Sequence, residues 1–190
     1  MSIVSAPIDP ARERPGPRAR RLGEMLRVDH AGEYGAVQIY RGQRAVFDAL
    51  PHKRETAERL AEMEAGEAEH LAAFDRLLAA RAVRPTLLAP VWNAAGFALG
   101  AATALMGEKA AMACTAAVEE VIEKHYQAQI EELGEAEPAL AETLARFRED
   151  ELAHKATAEA AGARDAPGFS LMRAAIGAGC RLAIRLAEKI

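Results

Sequence analysis

Thiols are nearly missing from this 190-residue chain: Cys114 and Cys180 are the whole supply, and each stands alone among apolar neighbours. Two isolated cysteines exclude a disulfide framework and a thiolate zinc site, and they fit a reducing compartment. Aromatic residues are scarce at 5%, and no segment alternates apolar and polar residues in the manner of a half-buried strand. A basic excess is missing too. The net charge is −4, so no nucleic-acid partner is expected. No glycine-rich dinucleotide motif is present, so any nicotinamide must dock on the surface or act through another protein. No apolar run follows the N-terminal arginines, and Asp9, Glu13 and Glu24 are out of place in a transit peptide; neither a secretory nor an organellar leader is expected.

The chain is 51% apolar and rich in Ala, Leu and Glu, a composition that builds helices around one full core. Residues 1–19 carry Pro7, Pro10, Pro15 and Pro17 among Arg12, Arg14 and Arg18, with Arg20 and Arg21 following, and are expected to form a disordered basic arm. Residues 20–190 are expected to form one all-α domain. Amphipathic periodicity predicts helices over about Leu22–Leu50, Lys53–Ala82, Glu108–Leu133 and Pro138–Gly162, that is, two helical hairpins. Between them, residues 83–107 are apolar and, from Pro85 to Gly107, uncharged. That run is long enough by count to cross a bilayer, yet Pro85, Pro90, Asn93, Gly96 and Gly100 interrupt it. A membrane span, a buried crossover helix and a helix dipping into one leaflet stay open there. A last amphipathic helix is expected over residues 168–190. Its Arg173, Arg181, Arg185, Glu188 and Lys189 fall on one stripe, with Met172, Ile176, Cys180, Leu186 and Ile190 opposite, a pattern suited either to an anionic membrane surface or to docking on the bundle.

One pattern occurs twice. Glu33 is followed seven residues later by Tyr40, and a helical hairpin further on come Glu67 and His70; Glu119 is followed by Tyr126, then by Glu151 and His154. Seven residues return to within about 20° of the same helix face, and a three-residue step puts Glu and His one turn apart on a shared face. The midpoint between Glu33 and Glu67 lies beside Pro51, and that between Glu119 and Glu151 beside Gly134, the two residue types that most reliably end helices. If each pair sits on antiparallel helices turning at that midpoint, four carboxylates and two imidazoles reach one height.

Such a mixed oxygen and nitrogen donor set without thiolate favours iron or manganese. Four buried carboxylates lacking cations would repel one another and take up protons. Two lone Glu and two Glu-x-x-His pairs form the donor set of ferritin-like di-iron and di-manganese carboxylate bundles. The candidate metal ligands are therefore Glu33, Glu67, His70, Glu119, Glu151 and His154, with Glu67 and Glu151 as bridges. Glu120 is the rival to Glu119, and only the Tyr126 frame prefers Glu119. Asp150 is a candidate to orient His70 across the bundle, since a metal-bound imidazole wants its outer nitrogen held; position 66, its counterpart, is Gly. Tyr40 and Tyr126 either hydrogen-bond ligating carboxylates or merely pack. His125, and His30 beside it, are candidates for proton relay, against the commoner reading as surface histidines.

Val28-Asp29-His30-Ala31-Gly32-Glu33-Tyr34-Gly35-Ala36 with Ile39-Tyr40-Arg41-Gly42-Gln43, and Val118-Glu119-Glu120 with His125-Tyr126 and Gln129-Ile130, resemble the two signatures of the demethoxyubiquinone hydroxylases of ubiquinone biosynthesis. The resemblance covers about residues 20–190. It implies a ferritin-like four-helix bundle with an apolar crossover helix, and a monooxygenase that hydroxylates the ring of a polyprenylated demethoxybenzoquinol. It implies two Fe ions per chain on the six positions named, O2 as co-substrate and NADH as the electron source. It also implies peripheral association with the cytoplasmic side of a bacterial cell membrane, homo-oligomers, and contact with other ubiquinone-biosynthesis proteins. A ferritin-like manganese catalase or peroxidase, an iron-storage protein and a metal-free helical scaffold on membranes stay open beside it.

Overall fold

The computed structural model describes residues 16–190. Most of the basic arm expected over residues 1–19 therefore lies outside the described residues. Its end does not: α1 begins at Pro17, because proline lacks only an amide hydrogen that the first helical turn leaves unbonded anyway. Six α-helices follow one another: α1 Pro17–Phe47, α2 Arg54–Ala80, α3 Ala89–Leu105, α4 Glu108–Leu133, α5 Pro138–Ala160 and α6 Phe169–Lys189. Short 3-10 turns stand at Pro51–Lys53 and Gly134–Ala136, the two midpoints of the repeated pattern. Among the described residues there is no strand.

The four long helices that carry the repeat, α1, α2, α4 and α5, form the bundle, with α1 against α2 and α4 against α5. Pairings across it fix the directions. Tyr40 meets Glu119 and Tyr126 meets Glu33, while Gln43 reaches Thr115 and Gln129 reaches Asp29, a register that only antiparallel α1 and α4 allow. Two apolar clusters close the bundle. One gathers Tyr40, Phe47, Leu60, Met63 and Met112; the other gathers Leu26, Phe74, Tyr126, Leu144 and Phe147. The repeated glutamates lie between them.

The crossover α3 lies along α1. A side chain on Gly42 would run into the Phe97 carbonyl, and one on Gly100 into the Ile39 carbonyl, so these glycines let the two backbones touch. Of the readings open for this segment, membrane crossing has no support, since no described helix is long and apolar enough to span. Its outer side still shows Val91, Phe97 and Leu105 to solvent.

The C-terminal helix α6 rests on α4 and α1, and here the expected stripes need correcting. Of the apolar stripe, Met172, Ile176 and Cys180 pack against the core, but Leu186 and Ile190 are exposed together with Leu171 and Leu182, while Arg173 and Glu188 of the charged stripe turn to the bundle and pair with Glu120 and Arg21. The physical reason is size. Small residues such as Gly177 and Ala187 form the buried strip of α6, which allows close approach and turns the leucines outward.

Candidate metal centre

Glu33 and Glu119 come from α1 and α4, whereas Glu67 with His70 and Glu151 with His154 come from α2 and α5. All four carboxylates are buried, none showing more than 1% of its surface. Their donor atoms gather into two groups, Glu33, Glu67, His70 and Glu151 in one and Glu67, Glu119, Glu151 and His154 in the other, with the atoms of each group within 4.8 Å of one another. Glu67 and Glu151 belong to both. His70 Nδ1 lies 3.6 Å from Glu33, 3.7 Å from Glu67 and 3.3 Å from Glu151; His154 Nδ1 lies 2.9 Å from Glu67 and 3.8 Å from Glu151.

Eight buried atoms of these six side chains have no hydrogen-bond partner: Glu33 Oε2, both oxygens of Glu67, Glu119 Oε2, both oxygens of Glu151, and Nδ1 of each histidine. Native interiors leave few polar atoms unpaired. Their concentration in one layer, every one a metal-donor type, is what a pair of cations would satisfy, so the donor set fits such a centre.

Without cations the layer settles its charge with protons. Burial pushes Glu33 and Glu119 well above the usual carboxylate range, and Glu67 and Glu151 add repulsion. Burial also acts on Glu67, but the imidazoles of His154 and His70 overcome it and hold that carboxyl near 2. His154 is driven the other way: burial opposes its charge, yet Glu151 and Glu67 raise it to about 9.

The tyrosines bond crosswise. Tyr40 shares a helix face with Glu33 but donates to Glu119 at 2.5 Å, and Tyr126 donates to Glu33. Each hydroxyl thus pins the carboxylate that the opposite hairpin contributes, as antiparallel α1 and α4 require. Glu120 stands outside the layer, paired with Lys124 and Arg173. Asp150 Oδ2 lies 3.1 Å from His70 Nε2. His125 does not join the layer; its Nε2 is 3.3 Å from Asp29 and 2.9 Å from the Gln129 amide, and His30 pairs with Asp75. The relay considered for these two has no contact with the carboxylates.

Sequence reasoning passed over Asp29, Gln43 and Gln129. Asp29 is buried and accepts from Gln129 at 2.8 Å, and Gln43 donates to the Ala111 carbonyl at 3.0 Å. A signal was present, because Gln129 follows Gln43 at the same spacing by which Glu119 follows Glu33.

On the outer side of α1 and α4 runs an apolar groove of about 470 Å³, roofed by α3 and α6; Gly32, Gly35, Trp92, Val118, Ile176 and Ile184 are among its walls. Gly32 and Val118 immediately precede Glu33 and Glu119. The opposite side, between α2 and α5, is left uncovered by the described residues and holds a polar cavity with Arg76, Arg146, Asp150 and His154.

A family model described as ubiquinone biosynthesis protein COQ7 matches residues 20–187. A Rhodospirillum rubrum protein named 3-demethoxyubiquinol 3-hydroxylase is 51% identical over 176 residues, 93% of this chain and 81% of that protein. The mouse protein named NADPH-dependent 3-demethoxyubiquinone 3-hydroxylase, mitochondrial, is 46% identical over 172 residues, 88% of this chain and 77% of that one. Its counterpart in cattle is 45% identical over 173 residues, 89% and 78% of the two chains.

Proposed function

Since the chain belongs to the COQ7 family of ubiquinone biosynthesis, we propose that its two donor groups hold two iron ions and that it hydroxylates the ring of a polyprenylated demethoxybenzoquinol, with O2 as co-substrate. The observation that carries the di-iron reading is the sharing of Glu67 and Glu151 between both groups, which sets two cations side by side. Iron bound there supplies the oxygen activation that no side chain offers. Manganese fits the same donors, but a quinol hydroxylase requires oxygen chemistry rather than peroxide disposal.

The chain's own residues do the rest. The groove under α3 and α6 takes the isoprenoid tail and keeps water from the ring. Its wall passes through the helical turns that carry Glu33 and Glu119, so a ring seated at its inner end lies beside the centre. Tyr40 and Tyr126 hold the two outer carboxylates in place. Electrons come ultimately from NADH or NADPH; with no dinucleotide fold among the described residues, the nicotinamide docks transiently on the surface or acts through a partner. The exposed leucines of α6, with Val91, Phe97 and Leu105 of α3, suit peripheral contact with the cytoplasmic side of a bacterial membrane, where such a quinol resides. A homo-oligomer and contacts with other enzymes of the same biosynthesis complete the reading.

The test joins metal analysis of the purified full chain with turnover of a demethoxyquinol. About two iron per chain is expected, and His154→Ala is expected to keep the helical fold and lose ring hydroxylation. Zinc or no metal in the active protein, or unchanged turnover in the variant, overturns the reading.

A further inference from the structure

The duplicated pattern is unequal in one place. The second helix of each hairpin is offset from its counterpart by 84 residues, so His154 corresponds to His70, Gly66 to Asp150 and Met63 to Phe147. Each histidine turns Nδ1 to the carboxylates, and what differs is the support behind it. His70 has its Nε2 3.1 Å from Asp150 Oδ2, and its ring lies on the face of Phe147 with centroids 4.0 Å apart. His154 has neither support. Its Nε2 has no hydrogen-bond partner among the described side chains, and the aromatic ring beside it, Tyr40, stands edge-on at 6.3 Å. Where the matching carboxylate would be there is Gly66, and a Cβ on it would come within 3.3 Å of the His154 ring. Where Phe147 would be there is Met63, a flexible thioether that sits 3.8 Å from the Tyr40 hydroxyl. Both histidines border the polar cavity between α2 and α5, but the His154 side chain keeps 15% of its surface exposed, against 4% for His70.

We propose that the two metal positions are inequivalent: the position on His70 is the tightly held one, and the position on His154 exchanges first, through the cavity beside Gly66. The inference rests on the di-iron reading and adds to it which ion is labile and which residue makes the difference. A carboxylate behind a ligating imidazole fixes its tautomer and ring angle and makes it more basic, and losing that partner costs about 10- to 100-fold in metal affinity. Asp150 is itself half exposed, so the lower end of that range applies. Asp150 is a positioning residue here, acting on the metal through His70.

The test follows iron release from the iron-loaded full chain into a chromogenic ferrous chelator with oxygen excluded. Two phases of equal amplitude are expected, with rates at least about tenfold apart. Asp150→Ala is expected to accelerate the slow phase about tenfold and leave the fast phase unchanged, while Asp150→Glu restores the slow phase. Phe147→Met, which gives His70 the neighbour that His154 has, is expected to accelerate the slow phase as well. A single phase in the unaltered protein, or equal acceleration of both phases by Asp150→Ala, overturns the proposal. A chain with no iron to release overturns the di-iron reading along with it, and that result is distinct because no chelate forms at all.

Discussion

The bundle presents two unlike sides. On the α1/α4 side, helices α3 and α6 roof an apolar groove, and the glutamates coming from that side, Glu33 and Glu119, are each pinned by a tyrosine hydroxyl. On the α2/α5 side no described element covers the helices, the cavity carries Arg76 and Arg146, and the glutamates, Glu67 and Glu151, face imidazoles and are common to both donor groups. The same residue type therefore does two jobs according to the helix that carries it: terminal donors on the roofed side, shared donors on the open one. On the proposed function, substrate and ions would also have separate approaches, one dry and one wet.

The sharpest way to break that comparison is to remove one carboxylate from each side. Glu151→Gln takes a donor from both groups and is expected to lower iron affinity by at least about 100-fold at both positions, leaving protein without iron. Glu119→Gln takes a donor from one group and is expected to keep about one iron per chain on Glu33, Glu67, His70 and Glu151. Metal analysis after gel filtration decides between the outcomes. Equal iron loss in the two variants would mean that the sides do not differ.

A smaller effect separates the two approaches. Gly35 lines the groove, and a Cβ on it meets nothing within 4 Å, so Gly35→Leu fills groove space without a clash at Cβ and gains up to about 1 kcal/mol of helix propensity. It is expected to retain iron and to raise KM for a long-tailed quinol about tenfold or more, by the loss of apolar contact worth about 1.4 kcal/mol or more. Ala153→Leu adds nearly as much bulk to the exposed polar side and is expected to leave KM unchanged. If both variants, or neither, raise KM, the groove is not the substrate's entrance.

Much of the centre was legible because it rests on local geometry. The seven- and three-residue spacings act through helix pitch, and the turns at Pro51 and Gly134 set the heights, so the convergence of Glu33, Glu67, His70, Glu119, Glu151 and His154 needed no knowledge of packing. The Asp150 contact was legible for the same reason. What stayed hidden depended on how helices sit against one another. The crosswise bonding of Tyr40 and Tyr126 follows from the antiparallel register of α1 and α4, and that register is set by side-chain packing. The outward turn of Leu186 follows from small residues seating α6 closely, which a helical wheel weighted by hydrophobicity does not register. His125 stands apart from the layer because nearness in sequence to Glu119 says nothing of face: six residues along a helix point far from the starting direction, and His125 meets Asp29 instead.

The grip of α6 on the roofed side offers the finest test. Arg173 Nε lies 2.5 Å from Glu120, and Lys124 reaches the same carboxylate. Hydrogen bonds from Arg173 and then Lys124 pull the Glu120 carboxyl down from 4.5 to about 2. A carboxyl whose folded pKa is depressed stabilises the fold above its unfolded pKa and loses that contribution as pH falls through the folded one. The window therefore runs from about 4.5 down to about 2. Arg173 is half exposed, so solvent screening keeps the contribution of the pair small. Amide hydrogen exchange in α6 is expected to quicken about fivefold between pH 5 and pH 2.5, after correction for intrinsic rates, with α2 and α5 less affected. Arg173→Ala is expected to show the faster exchange already at pH 5 and a flatter dependence below it. An α6 whose protection ignores both the acid and the substitution would be held by its small-residue strip alone, and the roof of the groove would then owe nothing to charge.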